Sequence, residues 1–414
     1  MIEDINSLLH NPNFYLDVIH YLWVSWAIWL PILLLAIGIN TWIAYKQREW
    51  IKAQDKVLLE IKLPKEILRS PQAMELVLEA LWEPSSGNLG DAYGKGRVRE
   101  WFSFEIVSLG GEVKFFIWAF KKWQKNIEAR IYAQYPGVEI FEAEDYARDV
   151  IFDPEKFNLW GAFTQLTKAD SYPIKTYVDY DLEKGVEEQD EIVDPIVPLI
   201  EFLGSLKEGE QAWVQILARA NRKEGLLDRR ILVRPDWKGG GKDEIKKIID
   251  KEAYVKPGAD KPQTLQHLTS TQGDTIKSIE RNLGKPGFEA MIRAVYFAPK
   301  DIYDAGRIGG VLGSFRAFSS QNLNGIKPGW STNIDYSWQD FTGKRKIKKQ
   351  KFILDAYKRR SFFYGPYRFM EGKPYILTTE EVATIYHFPG SVSTTPNLNR
   401  VPSKKAEAPS NLPI

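Results

Sequence analysis

Between Tyr21 and Tyr45 the chain runs through YLWVSWAIWLPILLLAIGINTWIAY without one charged side chain. As an α-helix such a run extends about 37 Å, more than the ~30 Å hydrocarbon core of a bilayer. Trp23, Trp26, Trp42 and Tyr45 fall near its ends, where amphipathic rings favour the headgroup level, and Pro31 predicts a kink near its middle. The run is too long for a signal peptide and has neither a basic leader nor a small-residue cleavage site after it. Lys46, Arg48 and Lys52 follow the span, whereas Glu3, Asp4 and Asp17 precede it without any Lys or Arg. Positive flanks stay inside, so residues 1–20 are expected as a short extracytoplasmic tail, 21–45 as a single-pass transmembrane helix, 46–55 as a juxtamembrane segment, and the rest as a cytoplasmic body.

Past the span the period changes. Val57, Leu59, Ile61 and Leu63 alternate with more polar neighbours, the pattern of a strand with one buried face. A helix is predicted next, with Ser70 as cap, Pro71 in the first position, and Met74, Val77, Leu78 and Leu81 on one apolar side. After a Gly- and Ser-containing loop over 83–99, WFSFEIVSLGGEVKFFIWAF reads as two strands joined at Gly110-Gly111, a pair that tolerates the positive φ of a tight hairpin. A helix over 122–135 ends at Pro136-Gly137 and leads into the strand VEIFEA. Strand, helix, strand, strand, helix, strand is the split βαβ order, so residues 56–148 are expected to form a ferredoxin-like domain.

A related order recurs over 149–387. IKTYVDY is read as a strand, 195–206 as a helix capped by Asp194, and QAWVQILARA as a strand. A charged insertion over 221–272 then precedes a helix at 274–283, the strand FEAMIRAVYFA and a helix over 302–318. Residues 388–414, dense in Pro, Ser and Asn, read as a Pro-rich linker or tail. The fold class expected is α+β: one N-terminal transmembrane helix, two ferredoxin-like (split βαβ) α+β domains, and that tail.

Composition narrows the chemistry. With 56 Lys+Arg against 54 Asp+Glu the formal charge is only +2, so any basic patch must be local. The chain has no Cys, which removes disulfides, thiolate metal sites and cysteine nucleophiles, and its four His are scattered. Neither Gly241-Lys242 nor Gly343-Lys344 has the upstream Gly or the following Ser/Thr of a phosphate-binding loop. GGVLGSF after Arg307 falls inside a predicted helix and reads as close helix packing. Glu142, Glu144 and Asp145, like the run VEEQDEIVD, match no metal-loop spacing and read as solvated acidic stretches. Thr378 with Glu381 has the spacing of a helix capping box. No catalytic residue, metal ligand or cofactor is expected.

One motif has a binding chemistry. Lys344, Arg345, Lys346, Lys348, Lys349 and Lys351 crowd into GKRKIKKQK, with Arg359 and Arg360 beyond. Such a run can neutralise phosphates of DNA or anionic lipid, and Phe352, Phe362, Phe363 and Tyr364 are candidates to stack on bases. The competing reading is a solvated charged loop flanked by ordinary core aromatics.

Three stretches carry a family resemblance: FSFEIVSLGGEVKFFIWA, NIEARIYAQYPGVEIFEAEDY, and LTTEEVATIYHFPG with the tail TPNLNRVPSKKAEAPSNLP. Together they resemble the membrane-anchored N-terminal region of HerA/FtsK-like ATPases of type IV secretion and conjugation systems, in the version found as an uncharacterised domain in small-genome bacteria. In that family the HFPG element and the Pro-rich segment lead into an ATPase domain. No nucleotide-binding residue can be carried over to this sequence, which ends at Ile414. The resemblance therefore implies a non-catalytic module at the bacterial cytoplasmic membrane that docks or positions a separate HerA/FtsK-type ATPase. The lipid bilayer, that ATPase, DNA and further copies of the chain are the candidate partners. The alternative is a membrane-tethered nucleic-acid-binding protein that uses the basic run over 344–351.

Overall fold

The computed structural model describes residues 20, 23–64, 67, 69–183, 194–222, 236–252, 268–334, 336, 338, 340–369 and 372–390. Residues 1–19 of the expected extracytoplasmic tail, most of the expected charged insertion and residues 391–414 of the expected Pro-rich tail lie outside the described residues. The chain divides into two compact units, one built from Met1–Ala53 with Gly87–Val98 and the other from Gln54–Ser86 with Arg99–Ile414.

In the first unit, helix α1 spans Trp26–Ala53 and is long and apolar enough to cross a membrane. It starts later and runs further than the uncharged stretch, because Lys46, Arg48 and Lys52 are good helix formers and nothing after Tyr45 breaks the ladder. Pro31 falls in its second turn, not its middle. The apolar side chains of α1 are exposed, Ile28 at 69% and Leu35 at 64%, and Ile43 is buried. The glycine-rich segment has a role here that its composition did not announce. It forms a single π-type turn at Gly90–Gly94 that packs on α1, and at Gly96 (φ +71°) a Cβ would come within 2.3 Å of the Lys46 carbonyl carbon. Only glycine permits that approach.

The second unit is built on a nine-stranded antiparallel sheet. Its strands are β1 Lys56–Lys62, β2 Phe102–Leu109, β3 Glu112–Phe120, β4 Glu139–Glu142, β5 Phe157–Leu166, β6 Gln211–Ala220, β7 Gly287–Pro299, β8 Ile326–Ser331 and β9 Tyr375–Thr378. The spatial order is β4-β1-β3-β2-β6-β7-β5-β8, with β9 paired to β7. Strands from 56–148 and from 149–387 thus belong to one sheet, joined where Glu105 of β2 faces Gln215 of β6. The β2–β3 hairpin closes at Gly110 (φ +64°) and Gly111 (φ +91°), the left-handed pair a two-residue turn requires.

The helices are α2 Gln72–Leu81, α3 Gln124–Gln134, α4 Val197–Gly204, α5 Trp237–Glu252, α6 Ser270–Gly284, α7 Gly306–Ser314, α8 Lys344–Lys358 and α9 Thr379–Ile385. On one sheet face, α2 packs against α3 and α9, and Tyr386 just beyond α9 lies on Phe104 and Phe115. On the same face the Ser108 hydroxyl donates to the Leu203 carbonyl at the end of α4. The glycine run after Arg307 is helical, as its position suggested. A Cβ on Gly310 would sit 2.2 Å from the Phe202 ring of α4.

The expected strand at IKTYVDY is not one: Tyr177–Tyr180 is a 3-10 turn. Thr176 and Asp179 close a reciprocal capping box there, and that local hydrogen bonding outweighs the apolar alternation. The first strand of this half is instead Phe157–Leu166. The helix after Ser70 begins at Gln72, with Pro71 in the capping position and the Ser70 carbonyl accepting from the Ala73 N–H.

Candidate functional site

The basic run is not a loop. It forms the first half of α8, which starts after Gly343 in the left-handed conformation (φ +69°), with the Lys346 N–H donating to Asp340 Oδ2 at 2.7 Å. Lys344, Arg345, Lys346, Lys348 and Lys351 are exposed. Lys349 is not part of that free set: its Nζ donates to the Ser331 and Asn333 carbonyls, both at 3.0 Å, and lies 5.3 Å from the Trp330 ring. The second half of α8 is apolar, and Ile353, Leu354, Ala356 and Tyr357 are buried. Ile353 packs so closely that a Cβ on Gly161 of β5 would meet it at 2.6 Å.

Of the aromatic neighbours proposed as stacking partners, two are core residues and two are half-buried and packed against the body. Phe362 and Phe363 are buried, Phe352 packs against Phe163, Trp330 and Tyr367, and the Tyr364 hydroxyl accepts from the Arg99 N–H. The exposed rings lie on the other side of the basic run, in the segment leading into α8. Tyr336 is 60% exposed, Trp338 66% and Phe341 87%, and the first two rings stack with centroids 6.0 Å apart. The signal in sequence was YSWQDF, three aromatics spaced by polar residues immediately before the lysines.

Beyond the α8 surface the notable chemistry is buried. The face of the sheet opposite α2 and α3 has a row of polar side chains across the central strands, Glu105, Gln215 and Arg293 in direct register, with Arg219 facing Glu289 four residues further along. Arg360, just past α8 with φ +48°, enters this row. Its Nε lies 3.0 Å from Glu105 Oε1, its Nη2 lies 3.1 Å from Glu105 Oε2, and it also holds Asp145. Glu105 further accepts from Ser103 Oγ at 2.6 Å, Gln215 Nε2 at 2.6 Å and the Tyr146 hydroxyl at 2.8 Å. Burial works against the Arg360 charge, but Glu105 and Asp145 outweigh it and hold the guanidinium pKa well above its usual value. Arg293 has no carboxylate in hydrogen-bond contact, and burial lowers its pKa to about 9. Its Nε donates to Gln215 at 2.5 Å and its guanidinium lies 5.5 Å from the Phe163 ring. Glu289 is clamped between Arg99 and Arg219; burial opposes its charge, and the two arginines still keep its pKa below the usual carboxylate value. Apart from Arg293 these groups neutralise one another, and all but Asp145 are buried, an arrangement that orders a core.

A third set surrounds α9. Thr378 and Glu381 form the capping box read from their spacing. Glu381 also accepts from the Ile174 N–H, and burial raises its carboxyl pKa to about 8. His387 is buried, with Nδ1 at 2.9 Å from the Ala383 carbonyl and Nε2 at 3.0 and 3.1 Å from the Asp194 oxygens. Burial opposes the Asp194 charge, but His387 and the Ile196 N–H hold that carboxyl below its usual range. His387 is therefore a packed residue that ties the end of α9 to the start of α4.

Around the two ends of the long apolar stretch, Trp23, Trp26, Trp42 and Tyr45 are all exposed, at 75%, 53%, 56% and 57%. Lys46 pairs with Glu49 at 2.8 Å and lies 5.2 Å from the Trp42 ring, and Arg48 is exposed.

Fold and surface together define an α+β protein with an antiparallel sheet and one long apolar N-terminal helix. The chain belongs to the family described as a domain of unknown function, DUF8128, whose model matches residues 39–400. No curated protein matches it.

Proposed function

We propose that the protein is a membrane-anchored, non-catalytic component of a type IV secretion or conjugation-like DNA-transfer system, which docks a HerA/FtsK-type ATPase at the cytoplasmic membrane face. In this reading α1 is the single span, with the N-terminus outside, and the body is cytoplasmic. The body is two ferredoxin-like halves, β4-β1-β3-β2 and β8-β5-β7-β6, the same order twice, meeting edge to edge at β2 and β6.

The observation that carries the reading is a convergence. The three stretches resembling the conjugation ATPases lie apart in sequence yet pack together: Phe388 of the HFPG element contacts Phe115 of the hairpin and Tyr135 at the end of α3, with ring centroids 5.6 and 4.8 Å apart. That element, which precedes the motor in the family resembled, is thus seated on the hairpin and helix that share the resemblance. A segment emerging there would hold a partner near the body at high effective concentration.

Cross-linking of the tagged full chain in its native membrane, followed by mass spectrometry of what co-purifies, tests this. Recovery of a HerA/FtsK-like ATPase linked through residues near the HFPG element is the expected result. Recovery of an unrelated membrane complex with no such ATPase overturns the reading.

A further inference from the structure

We propose that the aromatic tip formed by Tyr336, Trp338 and Phe341, with Lys344, Arg345 and Lys348 of α8, is a contact for an anionic phospholipid surface, and so gives the body its own attachment to the bilayer. The inference rests on the reading of α1 as a membrane span and adds to it a second site of contact.

Two features of the surface point to lipid. The first is the exposure of the rings. Phe341 is 87% exposed, with little of its apolar area covered by the protein. A bilayer interface is a yielding medium that covers a protruding ring from all sides, and Trp, Tyr and Phe beside cations are the side chains that settle there. The second is charge placement. The N-terminus of a helix is the positive end of its dipole and favours acidic residues. The first turn of α8 has none of its own; Asp340 ahead of it accepts from the Lys346 N–H, but four cations, Lys344, Arg345, Lys346 and Lys348, occupy the first two turns. This arrangement opposes helix stability, so folding does not account for it, whereas an anionic surface does. Each cation near such a surface contributes roughly fivefold in affinity, and a body already tethered to the bilayer needs only a few of them.

Single-stranded nucleic acid is the competing occupant, but it is bound in grooves where bases stack on partly enclosed rings. Of the rings C-terminal to the run, which would serve that purpose, Phe362 and Phe363 are buried and Phe352 packs on Phe163, Trp330 and Tyr367, whereas Phe341 is not enclosed at 87% exposure.

The chain has no native cysteine, so Thr342→Cys in the full-length protein gives a single nitroxide-labelled position beside Phe341. The protein is reconstituted in nanodiscs of phosphatidylcholine alone and of phosphatidylcholine with phosphatidylglycerol, and label depth is read from its accessibility to oxygen against a water-soluble nickel chelate. Co-migration of the protein with both disc types reports on α1 independently of the tip. The expected result is immersion of the label in the anionic discs only. Adding Phe341→Ser, Lys344→Glu and Lys348→Glu should lower the ratio of immersed to exposed label by roughly tenfold or more, with a thermal midpoint no lower than that of the parent protein as the folding control. Equal water exposure in both disc types overturns the proposal. So does immobilisation of the label by a single-stranded oligonucleotide without any response to phosphatidylglycerol.

Discussion

Removing the Arg360 guanidinium is the most direct way to test what holds the two halves of the sheet together. Arg360 is 1% exposed and makes two contacts to Glu105, at 3.0 and 3.1 Å, from a helix end that covers the β2–β6 junction. In Arg360→Met, Glu105 keeps only the neutral donors Ser103, Gln215 and Tyr146. A buried carboxylate stripped of its cation costs about 3–5 kcal/mol. Glu105→Leu is expected at the lower end of that range, because Arg360 retains Asp145, whose side chain is 28% exposed. The double variant Glu105→Leu with Arg360→Met removes both charges of the clamp together, so that neither is left buried without the other. Its cost should therefore fall short of the sum of the two singles by more than about 1 kcal/mol. Chemical unfolding of the detergent-solubilised protein, followed by tryptophan fluorescence and circular dichroism, gives all three values. If Arg360→Met lies within about 1 kcal/mol of the wild type, or the two changes simply add, the junction is held by apolar packing and not by this clamp.

Three other expectations can be checked with the same unfolding assay. Gly310→Ala drives a methyl group into the Phe202 ring and should destabilise by about 1–3 kcal/mol, while Gly309→Ala, with nothing within 4 Å of its new Cβ, should not. Glu381 has a folded-state pKa raised to about 8 by burial, above its unfolded value near 4.3, so its contribution is fully present below pH ~4 and is lost as pH rises to about 8. A stability that did not decline over that window relative to Glu381→Gln would refute the assignment. Lys344→Glu and Arg345→Glu place acids at the positive end of the α8 dipole and should stabilise by about 0.3–1 kcal/mol each. A loss of stability instead would show that these cations serve the fold.

Local rules acting over a few residues were enough for much of this protein. The charge-free run became a long exposed helix because its composition alone makes it one, and the hairpin closed at Gly110-Gly111 because only glycine tolerates both positive φ angles there. QAWVQILARA is a strand over the residues expected, and the Thr378–Glu381 capping box is satisfied by groups three positions apart. Where local signals conflicted, tertiary structure decided. IKTYVDY had strand periodicity, but the Thr176–Asp179 box bent it into a turn, and FNLWGAFTQL became the strand because β7 and β8 were there to pair with it. The candidate surface was legible in its charges and misread in its aromatics. Phe362 and Tyr336 look alike in sequence, and only the packing of α8 against β5 determines which is buried. The polar row was not legible at all: Glu105, Gln215, Arg293 and Arg360 come from four distant segments, and nothing in any one of them marks it. Strand register brings the first three into line, and the left-handed turn at Arg360 delivers the cation that makes their burial tolerable.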